Sequence, residues 1–303
     1  MPELPEVETI RRGLEAKALF KTIQRVEIRC HKIILRPEAN QLSDYLVGKT
    51  IRQIRRRGKF LVFEVGEFIL LIHLGMSGQM TYWDRSQEDD DHFFINPLTG
   101  LQRARQHAVD KHTHVSIYFT DGNAMHYRDI RQFGKWRLYP RSEFGQAHEF
   151  WKLGLEPFTP EYNWRSFLAQ FKARRVKTKS LLLDQGFVAG VGNIYADEAL
   201  FEAGIHPERL SCSLSVHEKK RLFKAIPIVL RRGIRHGGTS IQSYFNADGV
   251  TGSNQDYLNV YGRVEEKCRR CKTEILRIIV SQRSTHFCPR CQPKRNLRKR
   301  EPL

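Results

Sequence analysis

The sequence predicts an α+β protein with a strand-rich N-terminal region, a helical region and a small cysteine-rich module. Residues 20–139 carry β-branched and aromatic side chains in partial alternation, which is typical of strands. From about residue 160 the apolar residues recur with a helical period. Two C-x2-C pairs then occupy the C-terminal region. A length of 303 residues is consistent with more than one domain.

The composition indicates a folded and strongly basic protein. Hydrophobic residues make up 40% of the chain and aromatic residues 11%, which excludes global disorder. The 51 Lys and Arg residues exceed the 33 Asp and Glu residues, so the formal net charge is +18. Such a surplus favours a polyanionic partner, most often nucleic acid, although a ribosomal or merely basic soluble protein has the same property. No apolar run approaches the ~18 residues of a membrane span and no signal peptide is apparent, so we expect a cytoplasmic, intracellular protein with no membrane partner.

A proline-bounded start and a helix that ends near residue 18 precede the strand-rich region. The turn sequence Asp121-Gly122-Asn123 separates two short apolar runs and predicts a hairpin. Residues 84–112 contain an acidic run and then a basic stretch, which predicts a long surface loop or insertion. Strand-like patterning covers residues 22–35, 50–65 and 67–82, and the two arms of the hairpin are residues 114–119 and 124–127.

Three helices are predicted in the second region. The first has apolar residues at positions i, i+3, i+4 and i+7 from Trp164. The second covers residues 193–203 and is ended by Gly204. The third begins with a capping box between Ser215 and Glu218, ends near residues 237–238, and contains Pro227 as a source of a kink. Residues 240–260 are rich in Gly, Asn and Ser, which predicts a loop.

Four cysteines predict a metal site. Two residues separate the members of each pair and sixteen separate the pairs, which is the spacing of a zinc ribbon. Four thiolates in tetrahedral arrangement suit one structural Zn²⁺ ion and leave no open coordination position. Disulfides are the alternative, which an intracellular setting disfavours. The ligands are Cys268, Cys271, Cys288 and Cys291.

The N-terminus carries a candidate catalytic group. Removal of Met1 leaves Pro2 with a secondary amine, whose reference pKa near ~8 leaves much of it neutral at physiological pH. Such an amine forms an iminium ion with an aldehyde-level carbon, and the iminium promotes elimination. Glu3 is adjacent and suited to proton transfer. Alternatively, Pro2 and Pro5 form an extended leader, and Glu3 and Glu6 favour a helix start.

Several ordered motifs together give the chain a resemblance to the formamidopyrimidine-DNA glycosylase family, from residue 2 to about residue 292. The last two of these motifs lie at the end of the cysteine module. The motifs are PELPEVET at residues 2–9, RGKF at 57–60, HLGMSG at 73–78, DQ at 184–185, VAGVGNIY at 188–195, GIHP at 204–207, VYGR at 260–263, QRST at 282–285 and CPRC at 288–291.

The resemblance implies an N-terminal β-sandwich domain with flanking helices over residues 1–150. It implies a helix–two-turns–helix DNA-binding domain with a lesion-capping loop over 151–260. A four-cysteine zinc-finger β-hairpin and a basic tail follow over 261–303. The implied activity is excision of oxidised purines, such as 8-oxoguanine and formamidopyrimidines, from double-stranded DNA. Cleavage of the abasic strand by β,δ-elimination follows, and we expect a monomer.

The resemblance also implies roles for individual residues. Pro2 is the expected nucleophile on C1′ and Glu3 its acid–base partner. Four further residues are expected to hold phosphates of a bent duplex, which requires donors that neutralise them. Arg283 and Lys59 lie at tight turns and contact phosphates near the lesion. The other two are Asn193, at a helix start, and His73.

Base flipping leaves a gap in the DNA stack, and the resemblance implies that three residues fill it. Arg131 hydrogen-bonds the orphaned base, whereas Met76 and Phe133 insert apolar surface. Without the resemblance, core packing is the simpler interpretation of Met76 and Phe133. Lys179 matches a lysine near the lesion pocket, although alone it is one lysine among many.

Two departures and two alternatives accompany this interpretation. Lys272 stands where the family usually has glycine, which predicts local strain in the zinc knuckle. The basic tail from Lys294 to Leu303 extends past the finger and suggests either nonspecific DNA attraction or a solubilising tail.

One alternative is a related endonuclease VIII-type enzyme for oxidised pyrimidines. The other is a non-catalytic zinc-ribbon protein that binds nucleic acid.

Overall fold

The computed structural model of the chain describes residues 1–87, 94–95, 102–103, 109–171, 174–240 and 244–294. The chain divides into two compact units. The first contains Met1–Trp151 and Ile234–Gln255, and the second contains Lys152–Gly233 and Asp256–Leu303. Among the described residues, no helix has both the length and the apolar character that crossing a membrane requires.

The first unit is a β-sandwich with flanking helices. Its elements are α1 (Leu4–Ala18), β1 (Ile23–Ile28), β2 (Ile34–Arg36), α2 (Ala39–Leu46), β3 (Ile51–Arg57), β4 (Phe60–Val65), β5 (Phe68–His73), β6 (Gly78–Trp83), β7 (Phe94–Ile95), β8 (Gln102–Arg103), β9 (Thr113–Phe119), β10 (Ala124–Asp129), β11 (Lys135–Pro140) and α3 (His148–Trp151). The main sheets have the strand orders β1-β9-β10-β6 and β2-β11-β5-β4-β3. Only the pairing of β11 with β2 is parallel among the described ladders of these two sheets.

Helix α1 closes the core of the sandwich. Its apolar residues recur every three or four positions, and Val7, Ile10 and Leu14 are completely buried. They belong to one apolar cluster with residues of both sheets, including Ile72 of β5 and Phe119 of β9. This packing fixes the helix whose first turn follows Pro2 and Glu3.

The predicted hairpin over 114–127 is confirmed as β9 and β10. The predicted strand-rich character of 22–35, 50–65 and 67–82 is confirmed, and each of these segments contains two strands. The first and third segments cross from one sheet to the other, and the second reverses direction within one sheet. The breaks in the second and third segments hold Lys59 and Met76. Alternation alone does not reveal such breaks, since apolar residues continue on both sides.

The predicted insertion over 84–112 is described only in part. Residues 85–87 form a short 3-10 turn, and β7 pairs with β8 in an antiparallel ladder. Residues 88–93, 96–101 and 104–108 of this predicted insertion lie outside the described residues, as do residues 295–303 of the basic tail.

The second unit combines short helices with a β-hairpin. The predicted helix over 193–203 is confirmed, and so is the capping box, in which the Ser215 N–H donates to Glu218 at 2.9 Å and the Glu218 N–H donates to the Ser215 hydroxyl at 3.2 Å. Helix α7 continues through Pro227 and its last two residues belong to the first unit. The elements are α4 (Trp164–Ala169), α5 (Thr178–Leu183), α6 (Asn193–Ala203), α7 (Val216–Arg235), β12 (Leu276–Val280) and β13 (Arg283–Phe287).

Candidate functional site

The start of the chain is held against the first turn of α1. Pro2 and Glu3 are buried, whereas Met1, which carries the free amino group, is half exposed. Glu3 is the N-cap and forms a capping box with Glu6. The Glu3 N–H donates to the Glu6 carboxylate at 2.8 Å. These bonds satisfy N–H groups that a helix start leaves unpaired, and they fix the backbone next to Pro2.

The surroundings of the amino group favour its neutral form. The pKa of the Met1 amino group is lowered from its ordinary value, chiefly because burial disfavours the charged form. The positive charges of Lys59 and Arg131 lower it further, while Glu3 and Glu6 act in the opposite direction. Lys59, Arg131 and Glu3 therefore lie within electrostatic reach of the chain start.

Lys59 lies in the two-residue turn between β3 and β4. Its neighbour Gly58 has φ +55°, a left-handed conformation that favours glycine. The Arg56 guanidinium donates to the Gly58 carbonyl at 3.1 Å and to the Glu8 carboxylate at 3.0 Å. Arg56 thus connects the turn to α1, and the buried Lys59 is positioned by the helix that begins beside Pro2.

His73 ends β5, directly opposite Phe60 in the neighbouring strand. Burial, followed by the positive charge of Lys59, lowers the pKa of His73 to about 4. The ring is therefore neutral at physiological pH. Its Nδ1 accepts a hydrogen bond from the Gly75 N–H at 3.1 Å, so the proton lies on Nε2. A neutral imidazole with Nε2–H is a suitable donor to a phosphate oxygen.

The three predicted stack-filling residues lie on two loops of the first unit. Met76 is partly exposed on the loop after β5, and Phe133 is 50% exposed on the loop after β10. The exposed Arg131 guanidinium lies over the Phe133 ring, 4.8 Å from its centroid. An exposed aromatic ring beneath a cation is not core packing, which is the simpler interpretation of Phe133 from sequence alone.

Sequence reasoning missed a connection made by Glu6. One carboxylate oxygen accepts from the Thr239 N–H at 2.8 Å, and the Glu6 carbonyl accepts from the Tyr244 hydroxyl at 3.3 Å. Gly238 has φ +88°, and a Cβ at this position would lie 2.8 Å from the Tyr244 ring and 3.0 Å from Glu6. The described part of the predicted lesion-capping loop is thus attached to the first turn of α1. The capping-box spacing of Glu3 and Glu6 is the signal that marks Glu6 as an acceptor.

Two predicted phosphate-binding residues lie together in the second unit. Arg283 is exposed at the start of β13, after a tight turn of Ser281 and Gln282. Asn193 is the first residue of α6, and its side-chain amide donates to the Ser284 carbonyl at 3.1 Å. The Asn193 side chain at the start of α6 is therefore bonded to the residue that follows Arg283.

Lys179 is completely buried in the second unit, rather than exposed at a surface. Its ammonium group lies 2.7 Å from Asp197 and donates to the Ser284 carbonyl and the Thr285 hydroxyl, both at 2.8 Å. It therefore bonds the strand that follows Arg283. The motif around Lys179 gives no indication of this burial, because Asp197 lies far along the sequence.

The four predicted cysteine ligands form one cluster. Their sulfur atoms all lie within 4.8 Å of one another, an arrangement that fits one tetrahedral, structural Zn²⁺ ion. Cys268 and Cys288 are buried with Phe201, Val260 and Ile275, so the hairpin is packed on α6. The strain predicted at Lys272 is confirmed by its φ of +64°.

The sequence models of three formamidopyrimidine-DNA glycosylase domains match the chain. The N-terminal domain matches residues 1–136, the H2TH domain residues 153–244, and the zinc finger found in this enzyme and in IleRS residues 265–294. A formamidopyrimidine-DNA glycosylase from Cytobacillus firmus is 42% identical over 96% of this chain and 100% of its own length. These matches confirm the resemblance and the fold class, including the H2TH and zinc-finger regions.

Two solved structures of the Lactococcus lactis glycosylase are also similar. The wild-type enzyme bound to DNA containing N7-benzyl-Fapy-dG is 38% identical and has a TM-score of 0.83. The match covers 97% of this chain and 100% of that one. The wild-type complex with DNA containing an oxidised pyrimidine is 38% identical with a TM-score of 0.82 and the same coverage. With similarity over nearly the whole length in both sequence and structure, this chain belongs to the formamidopyrimidine-DNA glycosylase family.

Proposed function

We propose that this protein is a base-excision repair enzyme that removes oxidised purines from double-stranded DNA and cleaves the resulting abasic strand. The observation that carries the proposal is at the chain start, where Pro2 and Glu3 are buried and the charges of Glu3 and Lys59 both act on the neighbouring Met1 amino group. Both the name of the Cytobacillus firmus relative and the Fapy-dG in the Lactococcus lactis complex support a purine-derived lesion. The net charge of +18 is suited to a DNA partner.

Excision begins when the neutral Pro2 amine, exposed by removal of Met1, attacks C1′. A bond forms between nitrogen and C1′, the bond from C1′ to the base breaks, and the base leaves with the electron pair and a proton. Burial and the charges of Lys59 and Arg131 act on the Met1 amine in the direction that this step requires of Pro2. Glu3 is the acid–base group for proton transfers at the sugar.

Strand cleavage follows from the iminium ion at C1′. This ion forms when the nitrogen, having lost its proton, shares its electron pair with C1′, so that the ring bond from C1′ to O4′ breaks and O4′ takes a proton. Loss of a proton from C2′ then expels the 3′ phosphate, and a further proton loss expels the 5′ phosphate, which is β,δ-elimination. Water hydrolyses the iminium and restores the Pro2 amine. The electron pair of each broken C–H bond moves toward the positive nitrogen, so no external oxidant or reductant is needed.

Four donors bind phosphates of the duplex in this proposal. Lys59 and the neutral His73 of the first unit bind phosphates, as do Asn193 and Arg283 of the second. Met76, Arg131 and Phe133 fill the gap that base flipping leaves, which offsets part of an unstacking cost of a few kcal/mol. Lys179 acts indirectly, by bonding the strand behind Arg283.

The zinc ion has a structural role. Four cysteine ligands leave it no open position, so it supplies no Lewis-acid chemistry. Bound zinc fixes the hairpin whose strand β13 begins with Arg283. We further propose that the protein acts as an intracellular monomer. Light scattering of the zinc-loaded protein at increasing concentration tests the oligomeric state, and a mass that rises to a dimer contradicts it.

Excision of oxidised pyrimidines by the same Pro2 chemistry is a second candidate. It is favoured by the similar Lactococcus lactis complex with DNA containing an oxidised pyrimidine. Borohydride reduction tests both candidates, because it converts the iminium into a stable covalent DNA adduct. We expect an adduct with 8-oxoguanine duplex, formed faster than with thymine glycol duplex. Faster reaction with thymine glycol favours the second candidate, and absence of any adduct from chain lacking Met1 supports the non-catalytic alternative.

A further inference from the structure

The two loops that carry Met76, Arg131 and Phe133 lie side by side at one edge of the sandwich. The loop of Met76 runs from β5 to β6, and the loop of Arg131 and Phe133 runs from β10 to β11. Strand β5 pairs with β11 in one sheet, and β6 pairs with β10 in the other. Asp129 and Gly78, which border the loops, are directly opposite in the ladder. Both loops therefore bridge the same two sheets.

A single carboxylate bonds both loops. One oxygen of Asp129 accepts from the Ser77 hydroxyl at 2.5 Å and from the Arg131 N–H at 3.2 Å. Its other oxygen accepts from the Gly134 N–H at 2.8 Å. The Arg131 N–H also lies 3.1 Å from the Ser77 oxygen, so it is shared. Ser77 follows Met76, and Arg131 and Gly134 lie on either side of Phe133 along the chain.

The carboxylate is completely buried, yet its oxygens have enough donors. Tyr127 supplies a further hydrogen bond to Asp129 at 3.0 Å. Burial raises the pKa of Tyr127, so its hydroxyl keeps the proton that it donates. Two oxygens with about four acceptor directions are matched by four donors, which compensates for burial of the charge.

The backbones of the loops also touch. A Cβ on Gly75 would lie 2.6 Å from the carbonyl carbon of Phe133 and 2.7 Å from the Gly134 nitrogen. Gly75 has φ +72°, which further restricts the position to glycine. A Cβ on Gly134 would lie 1.7 Å from the Tyr127 oxygen. There is thus no room for one loop to move without the other while the Asp129 bonds are intact.

We propose that Asp129 is a positioning residue that fixes Met76, Arg131 and Phe133 relative to one another for insertion into duplex DNA. The proposal rests on the proposed function, in which these three side chains fill the flipped-base gap. Pre-arranged loops avoid the entropy cost of ordering three side chains upon DNA binding. Asp129 contacts no DNA in this proposal, and it acts through the backbone of Arg131 and the hydroxyl of Ser77.

The test compares 8-oxoguanine duplex with single-stranded abasic DNA, which has no duplex stack for the three side chains to fill. Asp129→Asn replaces one oxygen with an N–H group that faces donors, and Ser77→Ala removes one bond and retains the carboxylate. For both variants we expect single-turnover excision from 8-oxoguanine duplex to fall about tenfold to a hundredfold, the scale of a small misplacement of aligned groups. β-Elimination on single-stranded DNA with an abasic site should be unchanged, because it needs only the chain start.

A second readout follows from the position of Arg131 beside the orphaned base. The ratio of excision rates opposite cytosine and opposite adenine should move toward one in both variants. Substitution of a residue with only a structural role would lower the excision rates opposite cytosine and opposite adenine equally and leave this ratio unchanged. Equal losses on duplex and single-stranded DNA, with an unchanged ratio, would therefore overturn the proposal.

Ser116→Ala is the matched control. Ser116 is also a buried serine, and its hydroxyl lies 2.9 Å from the buried His126 ring nitrogen on the neighbouring strand. We expect a comparable loss of thermal stability and no change in substrate ratio. If Asp129→Asn fails to fold, Ser77→Ala decides the outcome. If wild-type protein forms no adduct with either duplex, the proposed function and this inference both fail; if it does and the variants keep wild-type ratios, only the role of Asp129 fails.

Discussion

The ammonium group of Lys179 lies 2.7 Å from a carboxylate oxygen of Asp197, and both side chains are completely buried. The second oxygen of Asp197 accepts from the backbone N–H of His286 at 2.8 Å. Lys179 also donates to the Ser284 carbonyl. One buried ion pair therefore joins α5 and α6 to β13, the strand that begins with Arg283.

We expect Lys179→Met to destabilise the protein by about 3–5 kcal/mol, because the Asp197 carboxylate then remains buried without its counter-charge. DNA affinity should fall as β13 loosens. The salt dependence of binding should keep its slope, whereas removal of a direct phosphate contact such as Arg283 lowers the slope by about 1. Urea unfolding and fluorescence anisotropy over a salt series measure both quantities.

Lys177→Met is the control for this variant. Lys177 precedes Lys179 by two residues and pairs with Glu208 at 2.8 Å with 42% of its side chain exposed. An exposed pair of this kind contributes about 1 kcal/mol or less. A reduced salt slope in Lys179→Met, with little loss of stability, would instead indicate direct contact between Lys179 and phosphate.

The sequence predicted those features that depend on local patterns. The cysteine spacing gave the metal cluster, the capping-box residues Ser215 and Glu218 gave the start of α7, and the Asp121-Gly122-Asn123 turn gave the hairpin of β9 and β10. In each case the residues that form the feature are close in sequence, or are of a type with few alternative roles.

Features that depend on distant residues were not predictable from the sequence. Lys179 is paired with a carboxylate on another helix. Asp129 accepts a hydrogen bond from Ser77, which lies on a loop more than fifty positions earlier in the chain. A lone lysine or aspartate carries no sequence signal of burial, since each is usually exposed. Their roles emerge only when tertiary structure brings the partners together.

Retention of Met1 should abolish adduct formation, because the Pro2 nitrogen is then an amide without a nucleophilic lone pair. Pro2→Gly retains a primary amine after processing and should form less adduct than Pro2 does. Burial lowers the pKa of the Met1 amino group, and we expect the same surroundings to act on the Pro2 amine that processing exposes. Half-maximal trapping by processed wild-type protein should therefore occur below the ordinary α-amino value of about 8. Borohydride trapping over a pH series measures this. Full trapping by protein that mass spectrometry shows to retain Met1 would exclude Pro2 as the nucleophile.

Glu3→Gln should retain the fold and DNA binding but lose base excision. The glutamine side-chain oxygen still accepts the Glu6 N–H, and the Glu3 N–H bond is made by the backbone, so the start of α1 is preserved. An amide does not transfer the protons that excision requires. Release of 8-oxoguanine and DNA affinity are both measured for Glu3→Gln and for wild-type protein. Glu15→Gln, on the exposed part of the same helix, is the control. Wild-type excision by Glu3→Gln would remove this carboxylate from the mechanism.

Cys288→Ser should release zinc and weaken DNA binding, while the β-sandwich remains folded. Serine is a poor replacement for a thiolate ligand, and Cys288 is buried in the cluster that packs the hairpin on α6. Zinc content by atomic absorption, DNA affinity and near-UV circular dichroism measure the three effects. Cys212→Ser is the control, because Cys212 is exposed and belongs to no metal cluster among the described residues. Unchanged DNA affinity after zinc loss would contradict the role of the finger.

The titration of His73 should make the folded protein less stable as the pH falls. Burial and the charge of Lys59 hold the pKa of His73 at about 4, against an ordinary value of 6.5. The unfolded chain therefore binds this proton at a higher pH, so stability present above pH 6.5 is lost as the pH falls toward 4. The loss is at most about 3 kcal/mol. We expect His73→Gln to show a shallower pH dependence of the free energy of unfolding over this window, while the exposed control His217→Gln keeps the wild-type slope. Equal slopes for all three proteins would show that His73 has the same pKa in the folded and unfolded states, and that it carries a charge when it meets phosphate at mildly acidic pH.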